Sequence, residues 1–213
     1  FLGFRGIRFL LHEEELFREQ LRALLQARPE APLRLMFPMI GSVEEFRRAK
    51  TLLQEAVAET RGPRAKTPPV GAMIELPSAI ELLPEIVEEA DFISVGTNDL
   101  TMYVLGVDRS NGLVGKLYRK DHPAMLRTTM RLVRNVGALR NQTTICGESA
   151  TDPYLLAFYL GIGLRRFSAQ PHQLPRMAQT LQGISLRACE KEAEALLSCA
   201  TVAEVEERRK NWL

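Results

Sequence analysis

Five short, almost unbroken apolar runs recur at wide intervals along this chain, and that alternation limits its fold more than any single residue does. They are Leu35–Ile40, Val70–Ile74, Phe92–Val95, Thr143–Cys146 and Arg166–Ala169. Strands covered on both faces read as continuous apolar runs rather than as alternating ones. Pro38 falls late in the first run, where it would end ladder pairing. Helical patterns lie between the runs. Glu13–Ala27 is amphipathic, with Leu16, Leu21, Leu24 and Leu25 expected on one side. Ser42–Thr60 opens on the capping-box spacing Ser42-Val43-Glu44-Glu45. Pro77–Ala90 starts on a proline and is interrupted by Pro84, which predicts two short pieces. Ala124–Arg140 reads as one long helix and Pro153–Gly161 as a short apolar one. Arg61–Pro69 reads as a surface loop, and a helical tail runs from about Pro175 to Leu213.

Repeated strand–helix alternation means parallel β/α units. Groups with chemical potential follow the strands, the placement found in (β/α)8 barrels. An open doubly wound sheet is the competing arrangement. No G-x-G-x-x-G follows a strand, and Gly161-x-Gly163 precedes one, so a dinucleotide site is not expected. Five strands are too few for an eight-stranded barrel, and the chain opens Phe1-Leu2-Gly3-Phe4-Arg5 without a methionine. It therefore reads as part of a longer polypeptide, one domain over residues 1–213.

At 213 residues and a net charge of +2, the chain has no lysine or arginine stripe of the kind that binds nucleic acid. No apolar run approaches a membrane span, and no signal-peptide pattern is present. Cys146, Cys189 and Cys199 form no C-x-x-C pair, which suits a reducing cytoplasmic setting.

The chemistry concentrates at strand ends. Glu75 ends one strand, and Asn98-Asp99 follows the next through Gly96-Thr97. Buried carboxylates need a partner or a metal. Glu75 and Asp99 could together hold a Mg²⁺, or each could pair with an arginine for structure. Asn98 offers an amide to an anionic oxygen, or caps the next helical turn. Arg109, in Val107-Asp108-Arg109-Ser110-Asn111, could clamp a phosphate or carboxylate through its planar fork, or be a solvated loop arginine. Cys146 heads Cys146-Gly147-Glu148-Ser149, where a thiol could move a proton at carbon or simply pack. Glu148 could orient an arginine. Arg34 opens its strand, so only a side chain lying along the interior would reach the opposite rim. Cys189 and Cys199 are expected to be structural, His12 and His122 to be surface or capping groups, and His172 either to line the pocket or to lie outside it.

Seven segments together resemble the C-terminal domain of phosphoenolpyruvate-protein phosphotransferase, enzyme I of the bacterial sugar-uptake phosphotransferase system. They are Phe1–Arg8, Arg34–Ile40, Met73–Pro77, Gly96–Thr101, Val107–Asn111, Cys146–Glu148 and Leu174–Arg176, in the family's order across nearly the whole chain. The wider group includes pyruvate phosphate dikinase and phosphoenolpyruvate synthase. The resemblance implies a (β/α)8 barrel of the phosphoenolpyruvate type, present as about its last five strands, and a Mg²⁺-dependent reaction. It implies Glu75 and Asp99 as metal ligands beside the substrate. Arg5, Arg34, Asn98 and Arg109 would hold phosphoenolpyruvate, and Cys146 would protonate the enolate carbon as pyruvate forms.

The family's further strands, another substrate arginine and the phosphohistidine domain that serves a histidine-containing carrier protein would lie upstream. The resemblance also implies a homodimer in the cytoplasm, with no nucleic acid and no membrane insertion, at the first step of sugar transport. This chain departs from the family at Ala169-Gln170-Pro171-His172-Gln173, which replaces a small-residue stretch and would suit a diverged paralogue fused to other transport domains. A non-catalytic sensing or dimerisation module and a dikinase-like enzyme are the alternative readings.

Overall fold

A computed structural model describes residues 3–27 and 32–212. The first two residues of the Phe1–Arg8 segment and the last residue of the tail lie outside that range. Five strands follow one another in chain order in one sheet. The pairings β1–β2 and β4–β5 are parallel, and the fold is α/β, as the alternation predicts. The chain divides into two compact units, residues 1–94 and 95–213.

The first unit carries α1 (Ile7–His12), α2 (Glu14–Ala27), β1 (Leu35–Phe37), α3 (Val43–Arg61), β2 (Val70–Ile74), α4 (Pro77–Glu81), α5 (Leu83–Glu89) and the start of β3 (Phe92–Gly96). Ser42 caps α3, its hydroxyl accepting from Glu45 N at 3.2 Å. The Glu45 carboxylate reaches back to Gly41 N at 2.7 Å and pairs with Arg8 Nε at 3.2 Å, so the predicted capping signal also ties α1 to α3. Phe37 stands edge-on to Phe17 and Phe46, with ring centroids 5.8 and 6.3 Å apart. Phe17 anchors α2, so its buried face is Phe17, Leu21 and Leu25. Leu16 and Leu24, expected on that face, are exposed instead, because the i, i+4, i+8 stripe runs one position later.

β1 stops before its apolar run ends. Its register is Leu35↔Val70, Met36↔Gly71 and Phe37↔Ala72. Pro38 has no N–H to extend the ladder, and Met39 then turns into the left-handed region at φ 60°. α4 and α5 are the two pieces predicted around Pro84.

The second unit carries the end of β3, α6 (Thr97–Leu105), α7 (Pro123–Asn135), β4 (Thr143–Cys146), α8 (Pro153–Gly161), β5 (Arg166–Phe167), α9 (Leu174–Gln182), α10 (Leu186–Ser198) and α11 (Val202–Trp212). α7 ends five residues before the predicted Arg140. Gly137 sits at φ 53°, and a 3-10 stretch, Gly137–Gln142, covers the remainder. β5 is likewise shorter than its apolar run. His122 caps α7 through Nδ1, which accepts from Ala124 N at 3.1 Å. Asp152 caps α8, accepting from Tyr154 N and Leu155 N. α8 is buried from Tyr154 through Leu160, the mark of a helix enclosed on all sides. A Cβ on Gly161 would stand 2.2 Å from Cys189 O, so α10 approaches α8 at a distance only glycine permits. Cys189 belongs to this core with Leu156, Ala157, Leu160 and Met177, and Cys199 is also buried. Burial raises both thiol pKa values, consistent with structural roles.

Candidate functional site

In the first unit the chemistry gathers where β1 and β2 end. Glu75 follows β2 and is only 3% exposed. Its Oε1 accepts from Met39 N at 2.7 Å. The left-handed Met39 aims that N–H at the carboxylate, at a backbone cost of order 1–3 kcal/mol. Pro38 O accepts from Ile7 N at 3.2 Å, which brings the half-buried Arg5 beside the carboxyl end of β1. A Cβ on Gly6 would come within 2.9 Å of Met39, so this close approach also depends on a glycine.

Arg34 does not join them. Its guanidinium lies 4.2 Å from the centre of the Phe92 ring. Phe92 opens β3, so Arg34 sits where the strands begin and is exposed there. A Cβ on Gly71 would meet the same ring at 2.3 Å, so glycine makes room for Phe92 and the stacked arginine. The side chain does not take the interior route toward the other rim, and its part in substrate binding is what the resemblance implies.

In the second unit Asn98, Cys146, Gly147 and Glu148 line a cleft of about 590 Å³ together with Ser168–Pro171 and Gln173. Asn98 and Asp99 lie on the first turn of α6, both half-buried. Asn98 Oδ1 accepts from Glu148 N at 3.2 Å. That bond fixes the amide's orientation, since only the oxygen accepts, and turns its NH₂ group away from Glu148. The Cys146 thiol donates to Val95 O at 3.1 Å. Gly147 follows at φ 92°, and a Cβ there would stand 2.7 Å from Thr97 Oγ1. The turn that presents Cys146 and Glu148 therefore needs glycine.

A chain of hydroxyls supports this turn from below. Tyr159 OH donates to Ser149 Oγ at 2.9 Å, Ser149 donates to Thr97 Oγ1 at 2.7 Å, and Thr97 donates to Cys146 O at 2.7 Å. Burial pushes the Tyr159 phenol well above its ordinary pKa, so it remains a donor.

Arg109 pairs with Glu148, Nη1 to Oε1 at 3.7 Å, as the sequence suggested for that carboxylate. Lys120 Nζ holds the other oxygen at 2.5 Å. The lysine first, and Arg109 after it, keep the Glu148 carboxyl below the usual carboxylate range. The Arg109 loop is braced by Asp108, which accepts from Ser110 N at 2.9 Å, and by Asn111, which accepts from Leu113 N at 2.9 Å. Tyr118 OH donates to Asn98 O at 3.3 Å, linking the loop to α6.

The glutamines of the divergent segment form a wall of the cleft. Gln170 and Gln173 brace one another as a capping box, with Gln170 N donating to Gln173 Oε1 at 3.3 Å. Pro171 and Gln173 face the cleft, whereas His172 between them is exposed and is not part of the lining. His12 is exposed beside Glu13.

The second unit thus brings Asn98, Cys146 and Glu148 to one cleft and attaches Arg109 through Glu148. This set offers amide and guanidinium donors to an anion and a thiol proton beside it. Glu75 and Asp99 are hard oxygen donors of the type Mg²⁺ prefers, each just past its own strand. Among the described residues no group of three or more His, Cys, Asp or Glu side chains is set to hold a metal. Sequence reasoning missed Lys120, Thr97, Tyr118 and Tyr159. Lys120 carries no motif, and the hydroxyls matter only once the fold brings their elements together.

A sequence model of the family described as PEP-utilising enzyme, PEP-binding domain, matches residues 1–186. The chain is 38% identical over 208 residues to a protein of Escherichia coli K12 named phosphoenolpyruvate-dependent phosphotransferase system, covering 96% of this chain and 28% of that protein. It is 37% identical to a phosphoenolpyruvate-protein phosphotransferase of Staphylococcus carnosus, covering 96% and 36%. It is 39% identical to a multiphosphoryl transfer protein of Rhodobacter capsulatus, covering 96% and 24%. The chain thus spans between about a quarter and just over a third of these relatives. Among solved structures, a citrate lyase of Burkholderia xenovorans shares the fold with a TM-score of 0.58 at 17% identity, over 85% of this chain and 58% of that one.

Proposed function

This chain belongs to the PEP-utilising enzymes as their PEP-binding domain, and from that premise we propose that it is the substrate-binding portion of a phosphoenolpyruvate-protein phosphotransferase. The observation that carries the reading is the Cys146 thiol sharing one cleft with the Asn98 amide, in a domain of this family. The reaction moves the phosphoryl group of phosphoenolpyruvate to a histidine of a domain outside this chain. The bond between the C2 oxygen and phosphorus breaks, leaving the enolate of pyruvate. Cys146 Sγ then gives its proton to C3, and the thiolate regains one from solvent.

Asn98 and Arg109 neutralise the anionic groups of the substrate, and Arg5 is proposed as a substrate residue because its segment resembles the family's. Fixed donors of this kind are worth most where charge develops in the transition state. Glu148 holds Arg109 in place and Lys120 holds Glu148. Glu75 and Asp99 are the residues we propose for Mg²⁺, supported by their place past the ends of their own strands and by their hard oxygens. The metal would neutralise charge on the phosphoryl group and the departing oxygen. Onward transfer to a histidine-containing carrier protein in sugar transport, by a cytoplasmic homodimer, is part of the same proposal and is supported by the resemblance of the seven sequence segments. No helix among the described residues is long and apolar enough to cross a membrane.

Full-length protein incubated with phosphoenolpyruvate and Mg²⁺ should yield pyruvate and a phosphohistidine. Cys146→Ala should slow pyruvate release by about 10²–10⁴-fold, the usual loss when a proton donor is removed, while the variant still binds substrate. Unchanged pyruvate release would remove Cys146 from the chemistry. Binding without any phosphoryl transfer by the wild type would favour a sensor over an enzyme.

A further inference from the structure

The C-terminal helix sends two side chains toward the segments that surround Glu148. From α11, Arg209 places Nη2 2.6 Å from Asp152 Oδ2 and Nη1 3.6 Å from Asp121 Oδ2. Its guanidinium also lies 5.7 Å from the centre of the Tyr154 ring. From the same helix, Glu206 Oε1 accepts from Arg119 Nη1 at 2.6 Å. Arg119 in turn grips Asp121 through Nε at 3.0 Å and Nη2 at 3.2 Å. Asp121 is 5% exposed, so this is a partly buried network rather than a set of surface pairs. Its members sit close in sequence to the site. Arg119 and Asp121 flank Lys120, which holds Glu148. Asp152 caps α8 and follows Glu148 by only a short 3-10 turn, Glu148–Thr151.

We propose that Arg209 is a positioning residue for the substrate cleft, bridging Asp121 and Asp152 so that Lys120 and Arg109 meet Glu148 in one arrangement. The proposal rests on the phosphoenolpyruvate reading above and adds to it a helix that lies beyond the matched family region. The physical reason is the cost of a buried carboxylate that loses a partner. Without Arg209, Asp121 keeps Arg119 alone as an ion-pair partner among the described residues, and the loop gains arrangements in which Arg109 is withdrawn. Substrate binding then has to select the competent arrangement, which lowers apparent affinity by the competent fraction.

Steady-state kinetics of pyruvate formation by the full-length protein test this. Arg209→Gln should raise KM for phosphoenolpyruvate by about tenfold with kcat within about twofold, since saturating substrate selects the competent arrangement and only the competent fraction of the free protein falls. Arg209→Lys should recover part of the loss. Asp152→Asn keeps a good helix cap and removes the charge, so it should raise KM in the same way, and the double variant should be no worse than Arg209→Gln alone. Glu206→Gln supplies a milder variant, with a rise of about two- to threefold, should Arg209→Gln fold poorly. An unchanged KM in Arg209→Gln and Glu206→Gln, with only a lower melting temperature, would overturn the proposal, as would additive effects in the double variant. A wild type that neither binds nor turns over phosphoenolpyruvate would overturn the underlying reading, and this proposal with it.

Discussion

Asn98 shows how one side chain can be fixed by what it accepts and used for what it donates. Its oxygen is held by Glu148 N, which leaves the NH₂ end to meet an anion. Asn98→Asp keeps the accepting oxygen and replaces the donor with negative charge. It should leave the melting temperature nearly unchanged and weaken phosphoenolpyruvate binding at least tenfold by calorimetry, or about 1.4 kcal/mol. Glu148 carries a pH prediction. Its carboxyl is depressed by Lys120 and then Arg109. Its attachment is therefore complete above the ordinary glutamate value, about pH 4.3, and is lost as pH falls through the lower folded value. Because 60% of the side chain is exposed, water screens the pair and little global stability depends on it. Lys120→Met should move the Glu148 titration, followed by NMR, back up toward the ordinary value. The role of Glu148 was legible in the sequence because Cys146-Gly147-Glu148 ends a strand. Lys120 was not, because a loop lysine has no signature until the fold brings it to its partner.

At the level of elements, local rules accounted for much of the structure. The Ser42 spacing gave a true cap, Pro84 separated α4 from α5, and continuous apolar runs became parallel strands. The misses have particular causes. Ala124–Arg140 keeps a helical pattern throughout, but the left-handed Gly137 ends α7 early. Leu16 and Leu24 fit a helical stripe as well as Phe17 does, and it is the face with Phe17 against Phe37, together with Leu21 and Leu25, that is buried. The stacking of Arg34 on Phe92 at the amino ends of the strands could not be read from spacing, because it depends on the room that Gly71 leaves for the ring. α8 and α10 yield a further prediction. Gly161→Ala would set a methyl 2.2 Å from Cys189 O. Overpacking of this kind costs about 1–3 kcal/mol, so chemical denaturation should show that loss, with the two helices forced apart.

For the molecule as a whole, the family match spans both compact units, while the chemistry described in each is distinct. The first contributes a buried carboxylate beside a strained Met39, and the second a cleft with a thiol, an amide and a braced arginine. The order of strands and the residues at their ends could be read from the sequence, because burial and strand polarity leave a pattern in it. The α11 network could not, because long-range ion pairs such as Arg119–Glu206 leave none. The account depends most on these groups taking phosphoenolpyruvate with Mg²⁺. Titration calorimetry of phosphoenolpyruvate into the full-length protein, its phosphoryl-accepting histidine replaced so that no turnover follows binding, measures this directly, with Mg²⁺, with a chelator in its place, and with Glu75→Gln. The account predicts tight binding with the metal and at least a tenfold loss in each of the other two cases. Equal affinity under all three conditions would contradict it.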